Sequence, residues 1–392
     1  MNNSNFTLFF SSIGHAFMHM FAAFYFVIIL SIEKEWHIAY DDLIKLWSLG
    51  ALLIGLGAIP FGWLSDKWSR SSVMSIMFIG MGFSSIISGF SNSTSMLFFG
   101  LSMLGLFCSI YHPVGIAWVF NSSNKKGRAL GINGIFGGVG IGSGAFVAGF
   151  LVEILNWKMA FILPGLFSIL LGFILIVLIY SKKIAYKNIN ISKDSFDRSK
   201  NEIIIIIIIM LFSMFGLGLS FHNTQTSLPK VFDLRMEDLS SMQIGLIIGF
   251  IYLISGITTF FGGLLADKFN LKIIYLTGIF LQAPCYFAIA FLSGINLVLF
   301  CIFAAIFNAS ILPTENILLG KFTSNKYHGV IYGVKFILAF GSGPIAVFLI
   351  SQIYSITSEF VYLYIFNALL MLLVSFFIIF LPNKKTNQIR EA

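Results

Sequence analysis

Two histidines, a glutamate and a lysine fall in stretches that hold almost nothing else able to ionise. His15 and His112 lie in the apolar stretches 6–31 and 95–120, and Glu315 and Lys335 in the stretches 295–320 and 328–353. A group that can carry charge is costly in such a setting, so each is a candidate for binding or proton transfer. Imidazole titrates near neutrality and can relay a proton or hold an anion. At a rise of 1.5 Å per helical residue, His15 stands about 13 Å and His112 about 12 Å from their helix ends, so the two can share one depth. Glu315 and Lys335 both come out roughly 8–9 Å deep on the same count. At matched depth they would offset each other's desolvation. In one reading Glu315 accepts a proton with an affinity set by Lys335. In the other the two form a static ion pair, or Lys335 reaches outward along its aliphatic stem. A lone intramembrane histidine can also simply hydrogen-bond a backbone carbonyl.

The elements that position these residues follow from composition. Of 392 residues 10% are charged and 58% hydrophobic, with 45 phenylalanines, and a soluble domain cannot hide that much apolar surface. A membrane span needs about 20 apolar residues. Twelve stretches qualify: 6–31, 43–64, 72–91, 95–120, 128–152, 157–180, 202–228, 242–265, 272–293, 295–320, 328–353 and 359–381. The expected fold is an all-α membrane protein of twelve transmembrane helices. Most of the 24 Lys and Arg residues fall in loops on the side of the two termini, which predicts cytoplasmic termini in a bacterial-type inner membrane. The same placement ties the basic excess to topology and gives no ground for a nucleic-acid partner. Cys108, Cys285 and Cys301 lie in apolar runs and form no disulfide or metal pattern.

A polar stretch divides the chain into a predicted six-helix bundle over 1–181, a cytoplasmic linker over 182–201 and a second bundle over 202–392. The halves repeat. Gly62-x-x-x-Asp66-Lys67 recurs as Gly263-x-x-x-Asp267-Lys268, and Asn124-Lys125 as Asn325-Lys326, each 201 residues on. Pro113 is matched by Pro313, and Gly142-Ser143-Gly144 by Gly341-Ser342-Gly343. Two pseudo-symmetric six-helix bundles around a site between them are a transporter pattern. The prolines remove backbone donors, which predicts kinks at Pro113 and Pro313. Gly131, Gly134, Gly137, Gly138, Gly140, Gly142, Gly144 and Gly149 give the fifth span a face for close helix packing.

The segment Gly62-Trp63-Leu64-Ser65-Asp66-Lys67-Trp68-Ser69-Arg70 is similar to the loop signature of the major facilitator superfamily. Gly62, Asp66, Lys67 and Arg70 match that pattern, with Ser69 in place of a glycine; Gly263, Asp267 and Lys268 repeat it. The resemblance covers essentially the whole chain and implies the major facilitator fold, with this loop in a cytoplasmic latch. The glycine suits close helix contact, and Asp66 and Asp267 are placed to cap the helices that follow. Gly14-His15 and Tyr111-His112-Pro113 also resemble motifs of fosmidomycin-resistance-type efflux transporters, although Val114 stands where that group often has an acidic residue. In the wider family the first and fourth spans line the central cavity, which would bring His15 and His112 to one site. Tyr111, Trp118 and Phe221 are further candidates for that lining.

The leading expectation is a secondary active transporter of a small organic solute, working by alternating access and coupled to protons. Its solute and proton path would use His15, His19, Tyr111, His112, Trp118, Glu315 and Lys335. The alternative is copper transport. His15, Met18 and His19 share an arc of one helix, and imidazole with thioether suits that metal. No catalytic triad, zinc motif or phosphate-binding loop points to an enzyme or a cofactor. The chain is expected to act as a monomer in the bilayer.

Overall fold

The computed structural model describes residues 3–123, 126–181, 200–236, 238–322 and 328–382. These are helical almost throughout, with no strand among them. The first span is a pair, α1 (Asn3–Ala23) and α2 (Tyr25–Trp36), and the second a trio, α3 (Tyr40–Lys45), α4 (Ser48–Leu56) and α5 (Ala58–Lys67). Next come α6 (Arg70–Gly89), then α7 (Thr94–Cys108) with α8 (Tyr111–Ser122), then α9 (Lys126–Ile154) and α10 (Trp157–Tyr180). The second half holds α11 (Lys200–Arg235), α12 (Ser241–Lys268) and α13 (Leu271–Phe291). It continues with α14 (Gly294–Ser310) and α15 (Leu312–Phe322), α16 (His328–Gly341) and α17 (Gly343–Thr357), and ends with α18 (Val361–Ile378). Among the described residues eleven helices are long and apolar enough to cross a membrane, and the pair Tyr40–Leu56 and Ala58–Lys67, bent by 41°, makes a twelfth. The expected linker over 182–201 lies outside the described residues apart from the start of α11, and so do Asn124, Lys125, Asn325 and Lys326.

Why the elements end where they do is written in short polar residues. Ser93, Asn156 and Ser240 each turn a side-chain oxygen onto the first free N–H groups of α7, α10 and α12. The loop signature behaves differently from expectation. Asp66 is part of α5 and pairs with Arg70 across one turn, 3.2 Å apart. Ser69 caps α6, and Asn270 caps α13 through the N–H groups of Lys272 and Ile273. The caps are therefore the residues that replace the signature's glycine, and the predicted capping by Asp66 and Asp267 is corrected. Extended backbone at residues 69 and 270 sets the geometry a cap needs, whereas a residue inside the preceding helix, as Asp66 and Asp267 are, cannot adopt it.

The helices expose apolar rows on the outside, such as Phe167, Leu170, Phe173 and Val177 on α10, and Phe250, Ile257, Phe260 and Phe261 on α12. Lipid is the solvent that suits such a surface. Inside, small residues let backbones approach. On α9 one stripe, Gly137, Gly140 and Gly144, lies on α1, where a Cβ at Gly140 would fall 2.4 Å from the Ala16 carbonyl oxygen. The other stripe, Gly138, Gly142 and Gly149, lies on α12 of the second half. Serine hydroxyls add interhelical bonds, Ser85 to the Phe161 carbonyl at 2.6 Å and Ser168 to the Phe78 carbonyl at 2.7 Å.

The fourth and tenth spans are each interrupted just ahead of a proline. The helix breaks at Ser109–Ile110 before Pro113, and at Ile311 before Pro313. The eleventh span likewise breaks at Ser342, two residues ahead of Pro344, whereas the first breaks at Phe24 with no proline nearby.

Candidate functional site

Four of the residues singled out from the sequence meet in one cluster. His15 and His19 stand one turn apart on α1, and Tyr111 and His112 open α8 directly after its break. Ring centroids are 5.0 Å apart for His15–His19, 5.5 Å for both His15–His112 and His19–His112, and 4.5 Å for the stacked His15–Tyr111 pair. The His15 Nδ1 lies 2.8 Å from the carbonyl oxygen of Asn133 on α9. That contact fixes a proton on Nδ1 and leaves Nε2 with its lone pair. Asn133 also accepts from the Tyr111 hydroxyl at 2.8 Å, and Ser11 bonds the Gly115 carbonyl at 2.9 Å. His112 is different. Both its ring nitrogens are buried without a partner, while its ring packs on Phe336 and Phe340 of α16 at 5.1 and 4.7 Å.

Beyond the cluster lies a cavity of about 30 Å³ between the two halves of the chain. First-half residues Met18, His19, Phe26 and Trp47 line it, and so do Phe221, His222, Gln225 and Phe340 of the second half. Its size suits a water or a small ion. Trp118 is buried within α8 and lines neither this cavity nor the second one beside Tyr252 and Asn308. Phe221 borders both.

Glu315 and Lys335 form a separate buried group. The Lys335 Nζ is 2.6 Å from Glu315 Oε1 and 2.6 Å from Asn316 Oδ1. Tyr275 donates to Glu315 Oε2 at 3.0 Å and is itself bonded to Ser213. A chain of oxygens thus runs from α11 through α13 to the carboxylate on α15. Lys335 is also the residue before Phe336, which packs on His112. In the loop signature Lys67 and Lys268 are exposed, while Gly62 approaches Pro113, its added Cβ falling 3.3 Å from the proline ring. Gly263 meets nothing within 4 Å.

Several residues of evident consequence escaped the sequence reading. His222 lines the cavity and lies well inside an apolar span, so the test that selected His15 applies to it equally. Lys230 was legible only as a loop cation. It is buried on the face opposite the termini, 2.8 Å from Glu33 of α2 and 2.9 Å from Asp233. Tyr40 and Tyr354 hold their rings 5.7 and 5.9 Å from its ammonium. Lys34–Asp233, at 3.9 Å, is a second ion pair across the halves on this face. Nearby, Arg235 grips Glu359 through two nitrogens and donates to the Ile289 carbonyl at 2.6 Å. Only the folded contacts reveal these partners.

The chain matches the model of the Major Facilitator Superfamily twice, over residues 11–237 and 203–392. It belongs to that superfamily, a family of membrane transporters rather than enzymes. The chain is 30% identical over 133 residues to the riboflavin transporter RibZ of Clostridioides difficile, covering 32% of this chain and 29% of that protein. It is 26% identical over 141 residues to the putative niacin/nicotinamide transporter NiaP of Bacillus subtilis, or 36% of this chain and 35% of that one. An uncharacterized transporter of Buchnera aphidicola is 25% identical over 230 residues, 57% of this chain and 54% of its own. The match thus spans about a third to a half of these relatives. A bacterial homolog of the human lysosomal transporter Spinster, solved inward-facing and occupied, superposes with a TM-score of 0.75 at 14% identity, covering 96% of both chains. That likeness bears on the fold alone. None of these relatives supports copper as a cargo, and none supports the narrower fosmidomycin-type resemblance.

Proposed function

We propose that this superfamily member is a secondary active transporter of a small organic solute, working by alternating access and coupled to protons. The observation that carries the reading is the cavity between the halves, walled by histidine and aromatic side chains from both. The partial relatives named for riboflavin and niacin favour a planar heteroaromatic solute. Trp47, Phe26, Phe221 and Phe340 offer ring faces for stacking, and His19, His222 and Gln225 offer hydrogen bonds. In this conformation the cavity admits only a water-sized guest. The Lys230–Glu33 and Lys34–Asp233 pairs join the halves on the face opposite the termini. The solute therefore exchanges when the halves part, and these ion pairs are the closed gate of one face. The loop signature forms the counterpart near the termini, which face the cytoplasm of a bacterial inner membrane.

Glu315 is the proton-coupling group. Glu315 is 3% exposed and its carboxylate contacts the Lys335 ammonium, so protonation would free the lysine and loosen α16 from α15. Movement of α16 would then reach the cavity through Phe336 and Phe340. The test is a proteoliposome assay with an internal pH dye and labelled nicotinate, nicotinamide and riboflavin, run on wild type and on Glu315→Gln. Solute-dependent proton flux that Glu315→Gln abolishes is the expected result. Solute movement with no proton flux would sink the coupling and leave Glu315–Lys335 a static pair.

A further inference from the structure

His15, His19 and His112 bring three ring nitrogens to within 4.8 Å of one another. We infer that these three imidazoles form a binding site for one divalent transition-metal ion of the zinc class, sharing His19 with the wall of the cavity. Three observations converge on a cation with empty valence orbitals. The His15 ring has its proton fixed on Nδ1 by the Asn133 carbonyl, the outer-shell arrangement that orients a metal-binding imidazole. Its Nε2 lone pair is thereby left available. His112 keeps both ring nitrogens buried without any hydrogen-bond partner, and buried polar atoms of this kind call for a missing partner. No carboxylate belongs to the group of three, and a set of imidazoles suits zinc, copper or nickel rather than magnesium or calcium.

Geometry is compatible. Zinc–nitrogen bonds of about 2.0–2.1 Å place tetrahedral ligand atoms roughly 3.4 Å apart. The rings need to close by about an ångström each; neither His19 nor His112 is fully buried, and no hydrogen bond holds the His112 nitrogens. His19 also borders the small cavity, which supplies room for the water or other ligand that completes the coordination. The bound ion would tie α1 to α8 just beyond the break at Ser109–Ile110. It would also stand beside Phe336 and Phe340 of the second half, through their contacts with His112. The inference is independent of the solute's identity.

The experiment uses the full chain, purified in detergent without a histidine tag, and titrates it with Zn²⁺ by calorimetry and with Co²⁺ by visible absorption. One ion per chain and a tetrahedral Co²⁺ spectrum are expected. Affinity should fall at least tenfold in His19→Ala and in His112→Gln, and should not change in His37→Ala, which removes an exposed histidine. Each variant is checked for monodispersity and helical content. The folded wild type binding no ion overturns the site without recourse to any variant. Binding that survives in the folded double variant of His19 and His112 overturns it as well.

Discussion

At the scale of the residue, the buried ion pair between Glu315 and Lys335 is the most exacting feature. Each partner is under a tenth exposed, so removing one leaves an uncompensated charge in the interior. Lys335→Met should destabilise the folded protein by about 3 kcal/mol or more, read as a drop in melting temperature in detergent. The double substitution Glu315→Gln with Lys335→Met should recover most of that loss, and a double variant no better than Lys335→Met would contradict the pairing. Gly137 gives a second prediction. A Cβ there would fall 2.8 Å from Cε1 and Nε2 of His15, so Gly137→Ala should displace that ring and lower solute flux. Gly134, whose Cβ would meet nothing within 4 Å, should tolerate alanine and gain slightly in stability, by about 0.5–1 kcal/mol. Equal effects at both glycines would contradict the packing described.

Much of this chemistry was legible because ionisable residues are scarce in the spans. Depth counted along a helix was enough to single out His15 with His112, and Glu315 with Lys335. It could not supply Tyr275 and Ser213, which are common residues whose role depends on which helices become neighbours. It also mistook Asp66 for a cap, since a loop signature read in one dimension does not show that α5 runs on through Lys67.

At the scale of the element, α9 determines how the halves meet. Its two glycine stripes face different partners, α1 on one side and α12 on the other. A Cβ at Gly138 would fall 2.5 Å from the Gly256 Cα, and one at Gly142 2.7 Å from the Gly249 carbonyl oxygen. Overpacking of this kind costs about 1–3 kcal/mol, so Gly138→Ala and Gly142→Ala should each lower the melting temperature. If α9 and α12 must also slide past one another, the same variants should slow transport beyond what the stability loss explains. The run of eight glycines was plain in the sequence, but its division into two stripes was not, because that depends on the helical phase of the neighbours. Spans were legible to within a few residues for the same reason that they are spans, their length and apolarity. The 41° bend between α4 and α5 was not. It falls at Gly57, one of several glycines there, where a Cβ would collide with the Ser109 hydroxyl at 2.4 Å.

At the scale of the whole molecule, the contacts on the face opposite the termini are the proposed gate. Lys230 bridges Glu33 and Asp233 while two tyrosine rings flank it, and Arg235 clamps Glu359 to the ends of α13 and α11. Burial would raise the Glu359 carboxyl, but the bonds from Arg235 and from the Phe360 N–H outweigh it and hold the group below its usual 4.5. A carboxylate depressed in the folded state contributes stability that is complete above its unfolded pKa and is lost as pH falls through its folded one. Acid titration of the melting temperature should therefore show a decline below about pH 4.5 that is smaller in Glu359→Gln. An unchanged acid limb in that variant would contradict the assignment. Lys230→Met should loosen this face and favour the opposite conformation, seen as faster labelling of cysteines introduced beside Tyr40.

Alternating access across that face is the central claim, and a reversible cross-link tests it most directly. Cysteines replace Glu33 and Lys230, whose side chains touch at 2.8 Å, while the native Cys108, Cys285 and Cys301 are buried and stay out of reach of the reagent. Joining the two introduced thiols in proteoliposomes should stop solute transport, and reductant should restore it. Transport that continues at the uncross-linked rate with the bridge intact would contradict the account.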